Sequence, residues 1–133
     1  MGNRTIVIID DDPDIAGIIS EILTDEQFVP VTWHSGAGAY EIIKRKQPLA
    51  VILDVRMETP DAGLRVAEAL AADPETREIP LIVCSGEHEF VRANRQRLAG
   101  LSFSVIAKPF SIPRLLAILN NATLRQRYGI PNG

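Results

Sequence analysis

Five short runs rich in β-branched and other apolar residues, at positions 5–9, 28–33, 49–53, 79–84 and 102–106, punctuate this chain, and each has the length of a strand. Between them the apolar residues change period. Ile15, Ile18, Ile19, Ile22 and Leu23 fall at helical spacing, as do Leu64, Ala67 and Leu70, and later Leu115, Leu116, Ile118 and Leu119. A chain that alternates strands with amphipathic helices has few ways to hide its apolar surfaces. The crossovers are right-handed, successive strands run parallel, and helices cover both faces of the sheet. The first, third and fourth runs are almost wholly apolar, which suits central strands. The expected class is α/β, a five-stranded parallel sheet with helices on both faces. Ligands of such sheets gather beyond the carboxyl ends of the strands, where the strand order reverses.

Helix starts are expected at Asp12 before Pro13, at Ser35 before residues 36–39, and at Ser111 ahead of Pro113. A fourth helix, about 87–98, rests on Phe90, Val91 and Leu98 among many charged residues. The length of 133 residues suits one domain, and an apolar content of 46% spread along the chain argues against disorder. We expect the domain to occupy residues 1–124. Residues 125–133 turn polar and carry Gly129, Pro131 and Gly133, so a flexible tail or a shortened linker is expected there.

The formal charge of −3 is close to balance and the basic residues are scattered, which gives no support to direct nucleic-acid binding. No apolar run reaches the roughly 20 residues that span a bilayer, and no charged-then-apolar leader opens the chain. Cys84 is the one cysteine and lies inside an apolar run, so a buried thiol is expected and an internal disulfide is excluded. A cytoplasmic protein, away from membranes, is the expectation.

Chemistry concentrates where the strands end. The first runs straight into Asp10, Asp11 and Asp12, the third ends at Asp54, the fourth is followed by Ser85 and the fifth by Lys108. Acids beside a proline are often only helix caps, so Asp10 to Asp12 alone leave both readings open. Asp54 shifts the balance, because an Asp ending so apolar a strand carries a desolvation cost. Carboxylates drawn together repel one another unless a cation sits among them, and Mg2+ favours oxygen ligands. An Asp carboxylate is also a nucleophile toward phosphorus, and metal, ammonium and hydroxyl groups can balance the charge of the transferring group. His34 and His88 lack zinc-ligand spacing, Trp33 is expected to pack at the end of the second strand, and residues 36–38 are too sparse for a dinucleotide loop.

Four segments carry a resemblance. Ile6-Val7-Ile8-Ile9-Asp10-Asp11-Asp12, Val51-Ile52-Leu53-Asp54-Val55-Arg56-Met57, Ile82-Val83-Cys84-Ser85-Gly86 and Ala107-Lys108-Pro109-Phe110 occur in the order found in response regulator receiver domains, and the chain resembles that family from Thr5 to about Thr123. The resemblance implies a flavodoxin-like (βα)5 fold with strand order 2-1-3-4-5. It implies that Asp54 accepts a phosphoryl group from a histidine kinase or phosphotransfer protein. Asp11 would ligate Mg2+ directly and Asp10 would act through water or position the ion, with Asp54 and the backbone carbonyl of Arg56 completing the protein ligands. Ser85 and Lys108 would contact phosphoryl oxygens. The only catalysis implied is self-phosphorylation and self-dephosphorylation, in the service of a downstream protein the sequence does not name. A homodimer through the fourth and fifth helices is also within the family's range.

The sequence departs from the family in two places. Met57 is followed by Glu58 and Thr59 instead of Pro, and the loop after the third strand has one extra residue. Val105 stands where relatives carry an inward-turning aromatic residue, and Phe103, on the same face by strand alternation, is an imperfect substitute, so a muted or rerouted output is expected. In similar domains the positions of Arg56 and Glu87 flank the path of attacking water, and their opposite charges are expected to pair across its mouth, modulating hydrolysis. The competing reading is an interaction module of the same fold that no longer switches by phosphorylation. A haloacid-dehalogenase-like phosphatase needs a second Asp where Arg56 stands, and an acidic loop after strand one would repel a flavin phosphate.

Overall fold

Parallel strands pair where β-branched residues can be buried, and the five strands of this chain make four parallel pairings. The computed structural model describes residues 3–54, 62–85, 96, 103–107 and 111–129. Strands β1 (Thr5–Ile9), β2 (Val29–Trp33), β3 (Ala50–Asp54), β4 (Leu81–Ser85) and β5 (Phe103–Ala107) form one parallel sheet in the order β2-β1-β3-β4-β5. The central strands are the three apolar ones, β1, β3 and β4. Helices α1 (Pro13–Asp25), α2 (Ala39–Lys46), α3 (Ala62–Ala72) and α4 (Ile112–Tyr128) cover it. The α4 helix is the fifth of those expected from the sequence; the helix expected at 87–98 lies outside the described residues, apart from Gln96. Among the described residues no helix is long and apolar enough to cross a membrane.

Strand alternation splits the core in two. Ile6, Ile8, Ala50, Ile52, Ile82, Cys84 and Ile106 face α1 and α4, where Ala16, Ile19, Leu23, Leu115 and Leu119 meet them. Val7, Ile9, Val51, Leu53, Leu81 and Val83 face α2 and α3, against Ile42, Ile43, Leu64, Ala67 and Leu70. Cys84 is buried as a free thiol. Burying one Leu or Ile here contributes about 1.5–3 kcal/mol, so both layers are needed to offset the entropy of ordering the chain.

Local signals succeed where the chemistry is local. The Asp12 carboxylate accepts from the backbone N–H of Asp14 at 3.0 Å and of Ile15 at 3.4 Å, with Pro13 opening α1. Ser111 caps α4 by accepting from the Arg114 N–H at 3.3 Å. Ser35 does not cap α2. Its hydroxyl donates to the Ala37 carbonyl, and the cap is Gly38 at φ +78°, a left-handed conformation that suits glycine. A Cβ there would stand 2.8 Å from the Trp33 ring, which packs over the turn while its Nε1 donates to the Ala37 carbonyl at 2.7 Å.

One residue of α1 stands apart from the core, and one other expectation changes. Ile18 belongs to the apolar spacing of α1 yet is 59% exposed, because the stripe from 15 to 23 is wider than the contact the sheet offers. The C-terminal helix continues through Arg125–Tyr128, residues assigned from the sequence to a flexible tail. Arg125 and Arg127 suit the negative end of the helix dipole, Gly129 closes the helix at φ +68°, and Gln126 Nε2 donates to the Asn3 carbonyl at 3.2 Å.

On the α2–α3 face, one polar strap joins α2 to the turn after α3. The Tyr40 hydroxyl donates to the Asp73 carboxylate, and Lys44 Nζ reaches Asp73 at 3.0 Å and Glu75 at 3.1 Å. The Tyr40 hydrogen bond, then the Glu75 backbone N–H and then Lys44 lower the Asp73 pKa from 3.8 to about 2. Hydrogen bonds to Asp73 are the main cause raising both Lys44 and Tyr40 above their ordinary values. A lowered carboxylate stabilises the fold above its unfolded pKa and loses that contribution as pH falls through the folded one. The raised Lys44 and Tyr40 act oppositely, stabilising below their unfolded values and fading as pH climbs past the folded ones. We therefore expect Asp73→Asn to melt at a lower temperature at pH 7 and to lose less stability than the parent between pH 4 and 2. Parallel melting-temperature curves for the two proteins across that window would show that the strap contributes nothing.

Candidate functional site

The pairing of β1 with β3 builds the site. Ile8 is level with Ile52 and Ile9 with Leu53. One residue further along that register, Asp10 comes level with Asp54, and strand alternation points both toward the same side. Asp10 and Asp54 are buried, Asp11 is exposed at the rim, and one carboxylate oxygen from each lies within 4.8 Å of the others.

Three carboxylates this close repel one another. A pair of unit charges 4 Å apart is worth about 1 kcal/mol in bulk water and about 4 kcal/mol near a protein surface. The backbone offsets part of this, since Asp10 Oδ1 accepts from the Asp12 N–H at 2.9 Å. The positive end of the α1 dipole also lies close by in the chain. A donor set made only of oxygens, part buried and part open, fits a hard divalent cation such as Mg2+. Its softer alternatives find no His or Cys in the cluster.

The acidic tripeptide divides its labour. Asp10 and Asp11 cluster with Asp54, while Asp12 caps α1, so the helix-cap reading of these acids holds for Asp12 alone. Asp10 is also tied to the end of β2, where its N–H donates to the Trp33 carbonyl at 3.0 Å and its carbonyl lies 3.1 Å from His34 Nδ1. The sequence reading overlooked His34 in this position; its one available signal was its place directly after a strand's carboxyl end.

The other predicted residues are placed unevenly. Ser85 is the last residue of β4, one beyond the Cys84 that is level with Asp54, and its backbone is level with Ala107 of β5. Lys108 follows Ala107 directly but, like Arg56 and Glu87, lies outside the described residues. Val105 is half-buried in β5 and packs on the α2–α3 side of the sheet, with its carbonyl accepting from Arg114 Nη2 at 3.2 Å.

Comparison with known proteins bears on this arrangement. The sequence matches the response regulator receiver domain family over residues 6–120. The nitrogen assimilation regulatory protein NtrX of Azorhizobium caulinodans is 32% identical over 125 residues, which cover 92% of this chain and 27% of that protein. The chain thus spans about a quarter of the length of the NtrX proteins it matches. A sensor protein from Polaromonas superposes with a TM-score of 0.79 at 29% identity, covering 94% of this chain and 99% of that one. The receiver domain of a Pseudomonas aeruginosa sensor histidine kinase, which holds a magnesium ion in its active site cleft, superposes with a TM-score of 0.74 at 22% identity over 90% of this chain and 97% of its own. A family match that spans the sheet from β1 into α4, and so includes both acid-bearing strands, establishes that the chain belongs to the response regulator receiver domains of two-component signalling.

Proposed function

We propose that this receiver domain accepts a phosphoryl group on Asp54 and relays the resulting change to a partner protein. The observation that carries this reading is the meeting of Asp10, Asp11 and Asp54 within 4.8 Å at the carboxyl ends of adjacent strands. The donor would be a phosphohistidine of a histidine kinase or phosphotransfer protein. An Asp54 carboxylate oxygen attacks phosphorus, the P–N bond breaks, and the departing imidazole keeps the electron pair and gains a proton as the acyl phosphate forms. Asp10, Asp11 and Asp54, with the Arg56 carbonyl, would hold Mg2+, an assignment supported by the oxygen-only donor set and by the magnesium in the Pseudomonas aeruginosa receiver domain. Bound there, the ion supplies positive charge opposite the carboxylates and the phosphoryl oxygens.

Ser85 would donate to one phosphoryl oxygen and Lys108 would pair with another. The domain then acts on itself alone, by phosphorylation and slow hydrolysis, and turns over no separate substrate. Arg56 and Glu87 would pair beside the acyl phosphate and modulate its hydrolysis. The partners are proteins in the cytoplasm, with neither nucleic acid nor membrane contacted directly. Val105 favours a muted output through the surface of the expected fourth helix, β5 and α4, the same surface that a homodimer would use. The same residue favours the second reading, an interaction module that does not switch.

Labelling separates the two readings. With a small phosphodonor and Mg2+, the protein should gain one phosphoryl mass, sensitive to base as acyl phosphates are, and Asp54→Asn should gain none. Equal labelling of the variant would sink the assignment. In the labelled protein, Glu87→Ala and Arg56→Ala should change the acyl-phosphate lifetime; unchanged decay in both removes their modulating role. Relief of repulsion gives a further expectation: without metal, Asp11→Asn should melt about 3 °C above the parent, while Mg2+ should raise the melting temperature of the parent alone. A metal-free Asp11→Asn protein that melts lower than the parent would contradict it.

A further inference from the structure

We propose that His34 is a positioning residue for the acidic site, holding the peptide that joins Asp10 to Asp11 so that both carboxylates are presented to a divalent cation. This rests on the metal-binding reading above and goes beyond it, since it concerns a residue outside the ligand set.

The geometry is that of a clamp. Strand β1 ends at Ile9 and β2 at Trp33, and the last backbone bond between them runs from the Asp10 N–H to the Trp33 carbonyl at 3.0 Å. One step further the backbone ladder stops, and the His34 side chain takes over, with Nδ1 3.1 Å from the Asp10 carbonyl oxygen. A carbonyl oxygen only accepts, so Nδ1 carries the proton in this contact. The carbonyl belongs to the Asp10–Asp11 peptide. Fixing its plane fixes the direction of the Asp10 backbone on one side and the position of the Asp11 Cα on the other. The Asp10 carboxylate is restrained in turn by the Asp12 N–H at 2.9 Å. Adjacent residues that both serve one ion cannot adjust independently, and a rotation of their shared peptide would move both carboxylates at once. Outer partners that orient ligands in this way affect metal affinity without themselves touching the ion.

His34 is itself exposed and contributes little to the core, which makes the two roles separable. Titrate the whole protein with Mg2+ by calorimetry, in parent, His34→Ala, His34→Asn and His34→Gln forms, and record melting temperatures without metal. The Asn amide nitrogen can occupy the place of Nδ1, whereas the Gln amide reaches past it. We expect His34→Ala and His34→Gln to bind Mg2+ about three- to tenfold more weakly, the worth of one neutral hydrogen bond, and His34→Asn to recover most of the loss. Metal-free melting temperatures should stay within about 3 °C of the parent. Unchanged affinity in His34→Ala, with Mg2+ binding lost in Asp10→Asn, overturns the role of His34 and leaves the site assignment standing. Weakening of all three variants in step with their melting temperatures would show a merely structural part and also overturn it. A parent that binds no Mg2+ overturns both.

Discussion

The parallel pairing of β1 with β3 is the constraint on which everything else in this structure depends. Its register, with Ile9 level with Leu53, carries two apolar strands through the middle of the sheet and releases an acid from each at the same height. A slip of one residue would turn Asp54 to the opposite face and drive Val51 and Leu53 out of their layer. The buried layers on both sides make that slip costly. Ile8 and Ile52 are fixed against α1 and α4, and Val7, Val51 and Leu53 against α2 and α3. The apolar core is therefore what brings the charged groups together against their own repulsion.

The three consecutive acids after β1 show how position assigns chemistry to identical side chains. Asp10 still belongs to the ladder with β2 and is turned inward beside Asp54. Asp11 is already off the sheet and stays at the rim. Asp12 has reached the start of α1 and spends its carboxylate on two backbone N–H groups. One strand-to-helix turn thus supplies an inner acid, an outer acid and a helix cap. The N-terminal helix dipole favours negative charge throughout that turn, so the same local field suits all three.

Away from the site, the fold protects itself with modest devices. The outer strand β2 carries Pro30, which has no N–H to offer another strand, and Thr32 faces solvent. The Tyr40, Asp73 and Lys44 strap ties α2 to the turn after α3. At the opposite end of the sheet, the Arg4 guanidinium lies 3.9 Å from the centre of the Phe28 ring and donates to the carbonyls of Glu26 and Gln27, closing the turn between α1 and β2. None of these devices touches the acidic cluster, so the rim can hold mutually repelling groups while the remaining turns are tied down.

Much of this was legible in the residues themselves. Alternating periods of apolar residues announced the α/β class, the wholly apolar runs announced the central strands, and Asp12-Pro13 and Ser111 announced two helix starts, because each signal is written within a few neighbouring residues. Ser35 and the end of α4 misled for one shared reason: the Trp33 ring over Gly38 and the contact of Gln126 with Asn3 are meetings of parts that sequence order does not reveal. By itself, then, the sequence determined the strands and helices of the described residues and which acids end the strands. Only the tertiary structure decided that Asp10 and Asp11 join Asp54 while Asp12 does not, and that His34 reaches the Asp10 carbonyl across 24 positions of chain. Periodicity is a property of adjacent residues, whereas distance between remote ones is set by the register of a sheet that exists only once the whole core has closed around it.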